Sequence, residues 1–352
     1  MIGAGILLGV IFYNFFKSRS RKRSSLIETR ATIFHGQGST NIRSEATRVE
    51  PGFQRNEKIE SVPVEEKLIS TQSYSNNILR IDPAIDCSVV LHFSVPISGA
   101  EVMAHFLGWP KNLPFKHLVE GLSSESESMG AEAWEPIVSE RSYIELQVAI
   151  QLANRRGPIG VVDLSEFLTR CQSLSDALDA EIDLPPVNQV LEQANLLDQF
   201  CVSSDIQLGF MLAANMISWS AIDVQTVLQK RGLILSRDGT CFNSYSDDQL
   251  NFKVQADGIN FLLDDLQGKR VKQIHFLLDV PVVSIKSDPF MGMLEIAKQL
   301  ALDLDGRLLD DNGQALVDVS IEGIQVYLRN LYEMMKARDI SPGSQTAIRL
   351  YS

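Results

Sequence analysis

The residues most informative about the fold are 271–311, which read VKQIHFLLDVPVVSIKSDPFMGMLEIAKQLALDLDGRLLDD. Apolar residues alternate from Ile274 to Leu278, which predicts a strand with one buried face. Apolar residues then recur at helical spacing over 289–304 and predict an amphipathic helix that ends before Gly306. Residues 307–309 predict a short strand, followed by a turn at 310–313. The stretch is therefore a strand, a helix and a second strand in succession.

The same succession occurs earlier in the chain. The earlier part has strand patterns at 85–95 and 143–152 and helix patterns at 99–107, 164–180 and 187–200. In the same order, the later part has strand patterns at 206–215 and 271–280 and helix patterns at 221–230, 289–304 and 320–337. These patterns predict an α/β protein of the α+β type. It contains tandem split β-α-β modules, an acidic one at 84–203 and a second at 204–338, with a tail at 339–352. In each module helices cover one face of a mainly antiparallel sheet.

The N-terminus has the pattern of a membrane anchor. Residues 2–16 are apolar apart from Asn14, and a basic run follows directly. A cleaved signal peptide has its positive charge before the apolar core, so we expect residues 1–16 to be a retained transmembrane signal anchor. Because the cations stay on the cytoplasmic side, the N-terminus lies outside and the body inside. The flanking cations are Lys17, Arg19, Arg21, Lys22 and Arg23.

The predicted span is short. Fifteen residues of helix reach roughly 22 Å, whereas the hydrocarbon core is about 30 Å thick, so we expect a few residues to precede Met1. Residues 17–83 are polar and basic without a helical or strand period, and they predict a disordered linker.

The charge is unevenly distributed and argues against nucleic acid as a partner. Residues 1–80 carry 12 basic and 7 acidic side chains, whereas residues 81–203 carry 6 basic and 18 acidic ones. A positive N-terminus ahead of an acidic body suits a membrane surface better than a phosphate backbone.

The four cysteines form no CxxC pair and predict reduced, mostly buried thiols. No phosphate loop, HExxH, GxSxG or metal-ligand spacing of histidines occurs, so we expect no cofactor, metal or small-molecule substrate.

Together these parts resemble the family of the cell-division protein ZipA. The match lies in the strand QIHFLLDVP at 273–281, the helix at 290–304 and the run DGRLLDD at 305–311, which are similar to the strand-Val-Pro, helix and Gly-x-x-Leu-Asp-Asp order of the ZipA C-terminal domain. The segment VIFYN at 10–14 with its basic run looks like the end of the ZipA anchor. Residues 255–260 depart from the family's Asn-Met-hydrophobic-x-Pro-Gly segment.

The resemblance implies a shallow apolar groove on the sheet face that is free of helices, where the C-terminal tail of FtsZ binds. Alternation along the strands assigns the groove residues, because alternate side chains share a face. If Phe210 and Phe276 point toward the helices, their neighbours point outward, and the strands near 240–243 and 252–256 add one residue each. The proposed groove residues are Gln207, Gly209, Met211, Cys241, Val254, His275 and Leu277.

These inferences predict a non-enzymatic adaptor in the bacterial inner membrane. It would bind inner-membrane lipids through the N-terminal helix and FtsZ through the groove, and so tether and stabilise filaments of the Z ring. The alternative is a membrane-anchored hydrolase or transferase with a site in the acidic module, near Asp163 and Glu166. Two carboxylates at that spacing near a helix start more often cap the helix than catalyse.

Overall fold

Residues 80–110, 113–123, 134–246 and 248–352 are described by a computed structural model. They belong to one compact unit, Ile78–Ser352. The predicted anchor at 1–16 and residues 17–79 of the predicted linker lie outside the described residues. Within the described ranges, no helix is both long and apolar enough to cross a bilayer.

The first half of this unit is built on a five-stranded antiparallel sheet. Its strands are β1 (Asp86–Ser98), β2 (His117–Ser123), β3 (Trp134–Pro136), β4 (Ser142–Gln151) and β7 (Ala180–Asp183). They pair in the order β3-β2-β4-β1-β7, and we call them the N-terminal sheet. A small hairpin joins β5 (Ala153–Asn154) to β6 (Gly157–Pro158), and the helices are α1 (Gly99–Phe106), α2 (Val161–Leu178) and α3 (Val187–Ser204).

Helix α2 covers one face of the N-terminal sheet because its apolar residues recur every three or four positions. Leu164, Phe167, Cys171 and Leu174 are buried along this stripe. They pack into the same core as the inward-facing residues of β1 and β4. The acidic half of the molecule therefore has an ordinary apolar core beneath its charged surface.

The second half is built on a six-stranded antiparallel sheet, which we call the C-terminal sheet. Its strands are β8 (Gln207–Ala214), β10 (Ile234–Leu235), β11 (Phe242–Ser246), β12 (Gln249–Ala256), β14 (Gln273–Asp279) and β15 (Gly306–Leu309). They pair in the order β10-β11-β12-β14-β8-β15. The short pair β9 (Trp219–Ser220) and β13 (Arg270–Val271) lies beside this sheet. The helices are α4 (Ala221–Lys230), α5 (Pro289–Leu304), α6 (Asp318–Lys336) and α7 (Gln345–Leu350).

Helix α5 starts abruptly after two short 3₁₀ segments, Val280–Val282 and Ile285–Ser287. Asp288 caps the helix by accepting a hydrogen bond from the Met291 amide, and Pro289 fills the first helical position. The buried face of α5 packs on the inward residues of the C-terminal sheet, where the rings of Phe210 and Phe276 stack at 5.0 Å. This packing leaves the opposite face of the sheet without α5.

The predicted mixed α/β class with antiparallel sheets is confirmed, and both halves follow the predicted order of strands and helices. The two sheets nevertheless differ in one respect. In the N-terminal sheet β2 and β3 form a hairpin, and its first strand, β2, pairs with β4. In the C-terminal sheet β11 and β12 form a hairpin, and its second strand, β12, pairs with β14. The two halves therefore have the same order of elements along the chain but a different order of strands across the sheet.

Residues 339–352 were expected to be a tail, but they form part of the junction between the halves. Helix α7 contacts β5 and the 3₁₀ segment that follows β14. Arg349 on this helix is buried and forms a bidentate ion pair with buried Asp86, with Nη2 to Oδ1 at 2.5 Å and Nη1 to Oδ2 at 3.0 Å. The Tyr351 and Ser204 hydroxyls lie 2.6 Å apart. The C-terminus therefore joins both sheets.

Candidate functional site

The face of the C-terminal sheet opposite α5 carries a mixed row of side chains, and we call it the open face. The pairing of β14 with β8 sets Leu277 opposite Gly209 and His275 opposite Met211. All four residues are half-buried, while their sequence neighbours Phe276 and Phe210 are fully or almost fully buried on the other side. Alternation along both strands therefore places these predicted groove residues together on one face, as expected.

Gly209 keeps the centre of the open face shallow. A Cβ atom at this position would lie 3.3 Å from Leu277 Cδ2 and 3.3 Å from the Phe276 carbonyl oxygen. These separations are tight for any side chain, so glycine allows the side chain of Leu277 to lie close over the β8 backbone. Leu277 and Met211 give the open face an apolar floor of the kind that a peptide side chain can cover.

Polar groups border this floor. Lys253 pairs with Leu277 and Gln255 pairs with His275, and both β12 side chains are exposed. On the other side, Oδ1 of Asp311 lies 3.7 Å from the position that a Cβ atom would take at residue 209. The pKa of Asp311 is raised, chiefly by loss of solvent around the carboxyl and also by Asp310, while His275 opposes the shift. Such a rim would fix the orientation of a bound peptide.

One end of the open face meets the first half of the molecule. Gln207 is exposed and pairs with Asp279 at the last position of β14. Arg155, from the turn between β5 and β6, donates to Asp279 Oδ1 at 2.5 Å and to Asp205 Oδ1 at 2.8 Å. The first half thus limits the open face at this end and leaves the centre accessible.

Two of the predicted groove residues lie elsewhere. Val254 is 0% exposed and pairs with Phe276 and Phe242, so it faces α5, and its assignment to the groove was wrong. The alternation of Phe252, Val254 and Ala256 would have placed it inward and indicated Lys253 and Gln255 instead. Cys241 precedes β11, is almost fully buried, and its Sγ lies 3.6 Å from Asn243 Oδ1. No sequence signal marked Asp311 or Arg155, because their positions depend on tertiary packing.

The residues of the enzymatic alternative lie at a different place, in the first half. Asp163 and Glu166, on the first turns of α2, line a small hollow together with His117 of β2. Glu166 accepts a hydrogen bond from Arg170 at 2.7 Å. Among the described residues no group of His, Cys, Asp and Glu side chains is arranged to hold a metal ion. The four cysteines are free and buried, as expected.

Comparison with known proteins bears on the second half. Residues 212–326 match the family model of the ZipA C-terminal FtsZ-binding domain, which describes a protein-binding domain and not a catalytic one. The match includes His275 and Leu277 but begins one residue after Met211. A comparison with curated proteins gives no match. The resemblance of this part of the chain to the ZipA family, predicted from residues 271–311, is therefore confirmed.

Proposed function

We propose that this protein is a membrane-held adaptor of bacterial cell division that binds the C-terminal tail of FtsZ on the open face. The observation that carries the proposal is the placement of Gly209, Met211, His275 and Leu277 on one accessible face of a domain that matches the ZipA family model. An extended peptide would bury apolar side chains against the floor formed by Leu277 and Met211, at about 25 cal/mol per Å² of apolar surface. Lys253, Gln255 and Asp311 would then contact its polar groups.

The membrane part of the proposal rests on the sequence of the N-terminus. Residues 1–16 would span the inner membrane, with Lys17, Arg19, Arg21, Lys22 and Arg23 on the cytoplasmic side in contact with lipid headgroups. The body would therefore lie in the cytoplasm, where FtsZ polymers form. Weak binding at each open face suits this arrangement, because many anchored copies on one filament bind with avidity and stabilise it at the membrane.

Replacing Leu277 by Asp tests the groove. A charge at the centre of the apolar floor opposes burial of a peptide side chain, so we expect the affinity for an FtsZ tail peptide to fall on the order of tenfold or more. The measurement is a titration of the labelled peptide with full-length protein in detergent micelles.

The matched control is Leu302→Asp, because Leu302 is 85% exposed on the far side of α5 and should not affect binding. Equal affinities for the wild type and Leu277→Asp would contradict the proposed groove. Release of the full-length protein from vesicles in a flotation assay would contradict the anchor, and it would leave the groove proposal unchanged.

A further inference from the structure

Two loops at one end of the C-terminal sheet each expose a pair of large apolar side chains. In the loop after β8, Met216 is 75% exposed and Ile217 is 86% exposed. In the loop after β12, Leu262 is 57% exposed and Leu263 is 84% exposed. We call these four residues the apolar tip. Single exposed apolar residues are ordinary on a protein surface, whereas a group of them marks an interaction surface.

The stems of the two loops are joined by backbone hydrogen bonds. Strand β13, in the second loop, pairs with β9, in the first. The Ala214 amide donates to the Lys272 carbonyl at 3.0 Å, and the Ala221 amide donates to the Lys269 carbonyl at 3.1 Å. Both loops therefore leave the sheet at the same end, and the two exposed pairs belong to one surface.

Asn260 fixes the conformation of the second loop. Its Oδ1 accepts hydrogen bonds from the amides of Leu262 and Leu263, both at 3.0 Å. Its Nδ2 donates to the Asp238 carbonyl at 2.8 Å, in the turn between β10 and β11. Gly239 lets the loop approach this turn, since a Cβ atom there would lie 2.9 Å from Leu262 Cβ. The loop thus presents both leucines outward while their amides have partners inside the protein.

This arrangement suits a lipid surface. A backbone amide that enters the bilayer must be hydrogen-bonded within the protein, because lipid chains offer no partner. The amides of Leu262 and Leu263 meet this requirement. A peptide partner docks in a groove or along a free strand edge, whereas apolar side chains on loops at the end of a sheet can enter the boundary between headgroups and acyl chains.

The charge of the second loop also favours lipid as the occupant. Residues 257–272 carry three acidic and three basic side chains, whereas residues 81–352 as a whole carry 37 acidic and 20 basic ones. The three carboxylates of the loop accept hydrogen bonds from backbone amides of the protein. Arg270 and Lys272 are exposed. An anionic lipid surface would therefore be repelled less by this end than by the rest of the acidic body, and two cations can reach its headgroups.

The apolar tip lies at the end of the C-terminal sheet that is remote from the first half of the molecule. Gln207 pairs with Asp279 at the end where Arg155 binds, whereas Ala213 pairs with Gln273 beside the tip. The six positions from residue 207 to residue 213 correspond to about 20 Å along a strand. The open face lies between these two ends, so a bilayer in contact with the tip would leave the open face accessible.

We infer that the apolar tip inserts into the membrane interface, with Arg270 and Lys272 beside anionic headgroups. The insertion would add a second membrane contact to the N-terminal anchor and orient the body, so that the open face is held within about 20 Å of the bilayer surface. This inference rests on the proposed anchor, which keeps the tip close to a bilayer at high effective concentration. It does not depend on FtsZ binding.

A fluorescent label at residue 263 tests the insertion. The four native cysteines are buried, so a nitrobenzoxadiazole dye reacts with the introduced thiol of Leu263→Cys. In full-length protein reconstituted in vesicles of phosphatidylethanolamine and phosphatidylglycerol, we expect blue-shifted emission. Nitroxide-labelled lipid should roughly halve its intensity, because the label would lie about 5–10 Å below the bilayer surface. Val162→Cys is the matched position, since Val162 is 78% exposed in the first half and should show neither effect.

Ile217→Glu tests whether the two loops insert together. A charge on the first loop opposes burial in lipid, so the label at residue 263 should lose most of its blue shift and of its quenching. Val162→Glu is the matched control and should leave both unchanged. The affinity of Ile217→Glu for an FtsZ tail peptide should equal that of the wild type, which separates the tip from the groove.

Three results would overturn the inference in whole or in part. Emission at residue 263 that matches residue 162, in protein that still floats with the vesicles, would contradict insertion of the tip and leave the anchor unchanged. A blue shift without nitroxide quenching, which disappears when the protein is diluted into more lipid, would identify a second copy of the chain as the occupant. Quenching that persists in Ile217→Glu would exclude the first loop from the inserted surface.

Discussion

At the scale of single residues, His117 is the most unusual side chain of the first half. Its ring is packed between Trp109 and Phe167, and its Nδ1 has no partner among the described residues. Sequence alone identifies His117 only as a histidine without metal-ligand spacing. Its environment depends on Trp109 and α2, which approach β2 only in the folded chain, so the perturbed pKa could not be predicted.

The lowered pKa of His117 predicts a loss of stability in mild acid. The pKa in the folded state is about 4, against an ordinary value of 6.5, so the unfolded chain binds more protons between these pH values. Stability should therefore fall as the pH decreases from 6.5 toward 4, by about 2 kcal/mol between pH 7 and pH 5 from this residue. Urea unfolding of the wild type and His117→Phe at both pH values measures the difference. An identical pH dependence in the two proteins would contradict the buried neutral state.

At the scale of elements, the sequence located the long elements well. The helices α4 and α5 have the predicted bounds, and the alternation of β8 and β14 correctly assigned their inward and outward residues. Strand β12 was less clear because Asn251 forms a bulge. The partners of Ser244 and Tyr245 are Phe252 and Leu250, which leaves Asn251 unpaired and buried beside α5. A bulge interrupts alternation, and a short strand then offers few residues from which to choose the face.

The corrected face of β12 predicts opposite effects for two neighbouring residues. Val254→Ala should lower the free energy of unfolding by about 1 to 3 kcal/mol, because it leaves a cavity between Phe242 and Phe276, and it should leave peptide affinity unchanged. Lys253→Glu should change stability by less than about 0.5 kcal/mol and alter peptide affinity. Denaturant unfolding and peptide titration distinguish the two. Weaker peptide binding by Val254→Ala at unchanged stability would show that Val254 contributes to the groove.

At the scale of the whole molecule, the ends of the described chain meet. Arg349 donates to the Arg80 carbonyl at 2.9 Å as well as to Asp86, and Gln151 donates to the Arg349 carbonyl at 3.0 Å. This contact was not predicted, because nothing local to residues 339–352 distinguishes a docked helix from a tail. If the protein is anchored at its N-terminus and bound to a filament at β14, tension enters at Arg80. Besides the covalent path into β1, the Arg349 contact links Arg80 to α7, which lies against the 3₁₀ segment that follows β14.

The buried pair of Asp86 and Arg349 predicts a large loss of stability when Arg349 alone is replaced and a smaller loss when both residues are replaced. Burial raises the pKa of Asp86 while Arg349 opposes the shift, so the carboxylate depends on this partner for its charge. Arg349→Met leaves an unpaired acid in the core and should lower the free energy of unfolding by about 3 to 5 kcal/mol. Asp86→Leu combined with Arg349→Met removes both charges and should recover most of this loss. The remaining cost is that of two hydrogen bonds, which Arg349 donates to the Arg80 carbonyl and Asp86 accepts from the Asp82 amide. Denaturant unfolding of the single and double variants measures the coupling. A double variant no more stable than Arg349→Met would mean that the loss comes from the missing contacts of Arg349 and not from an unpaired acid in the core.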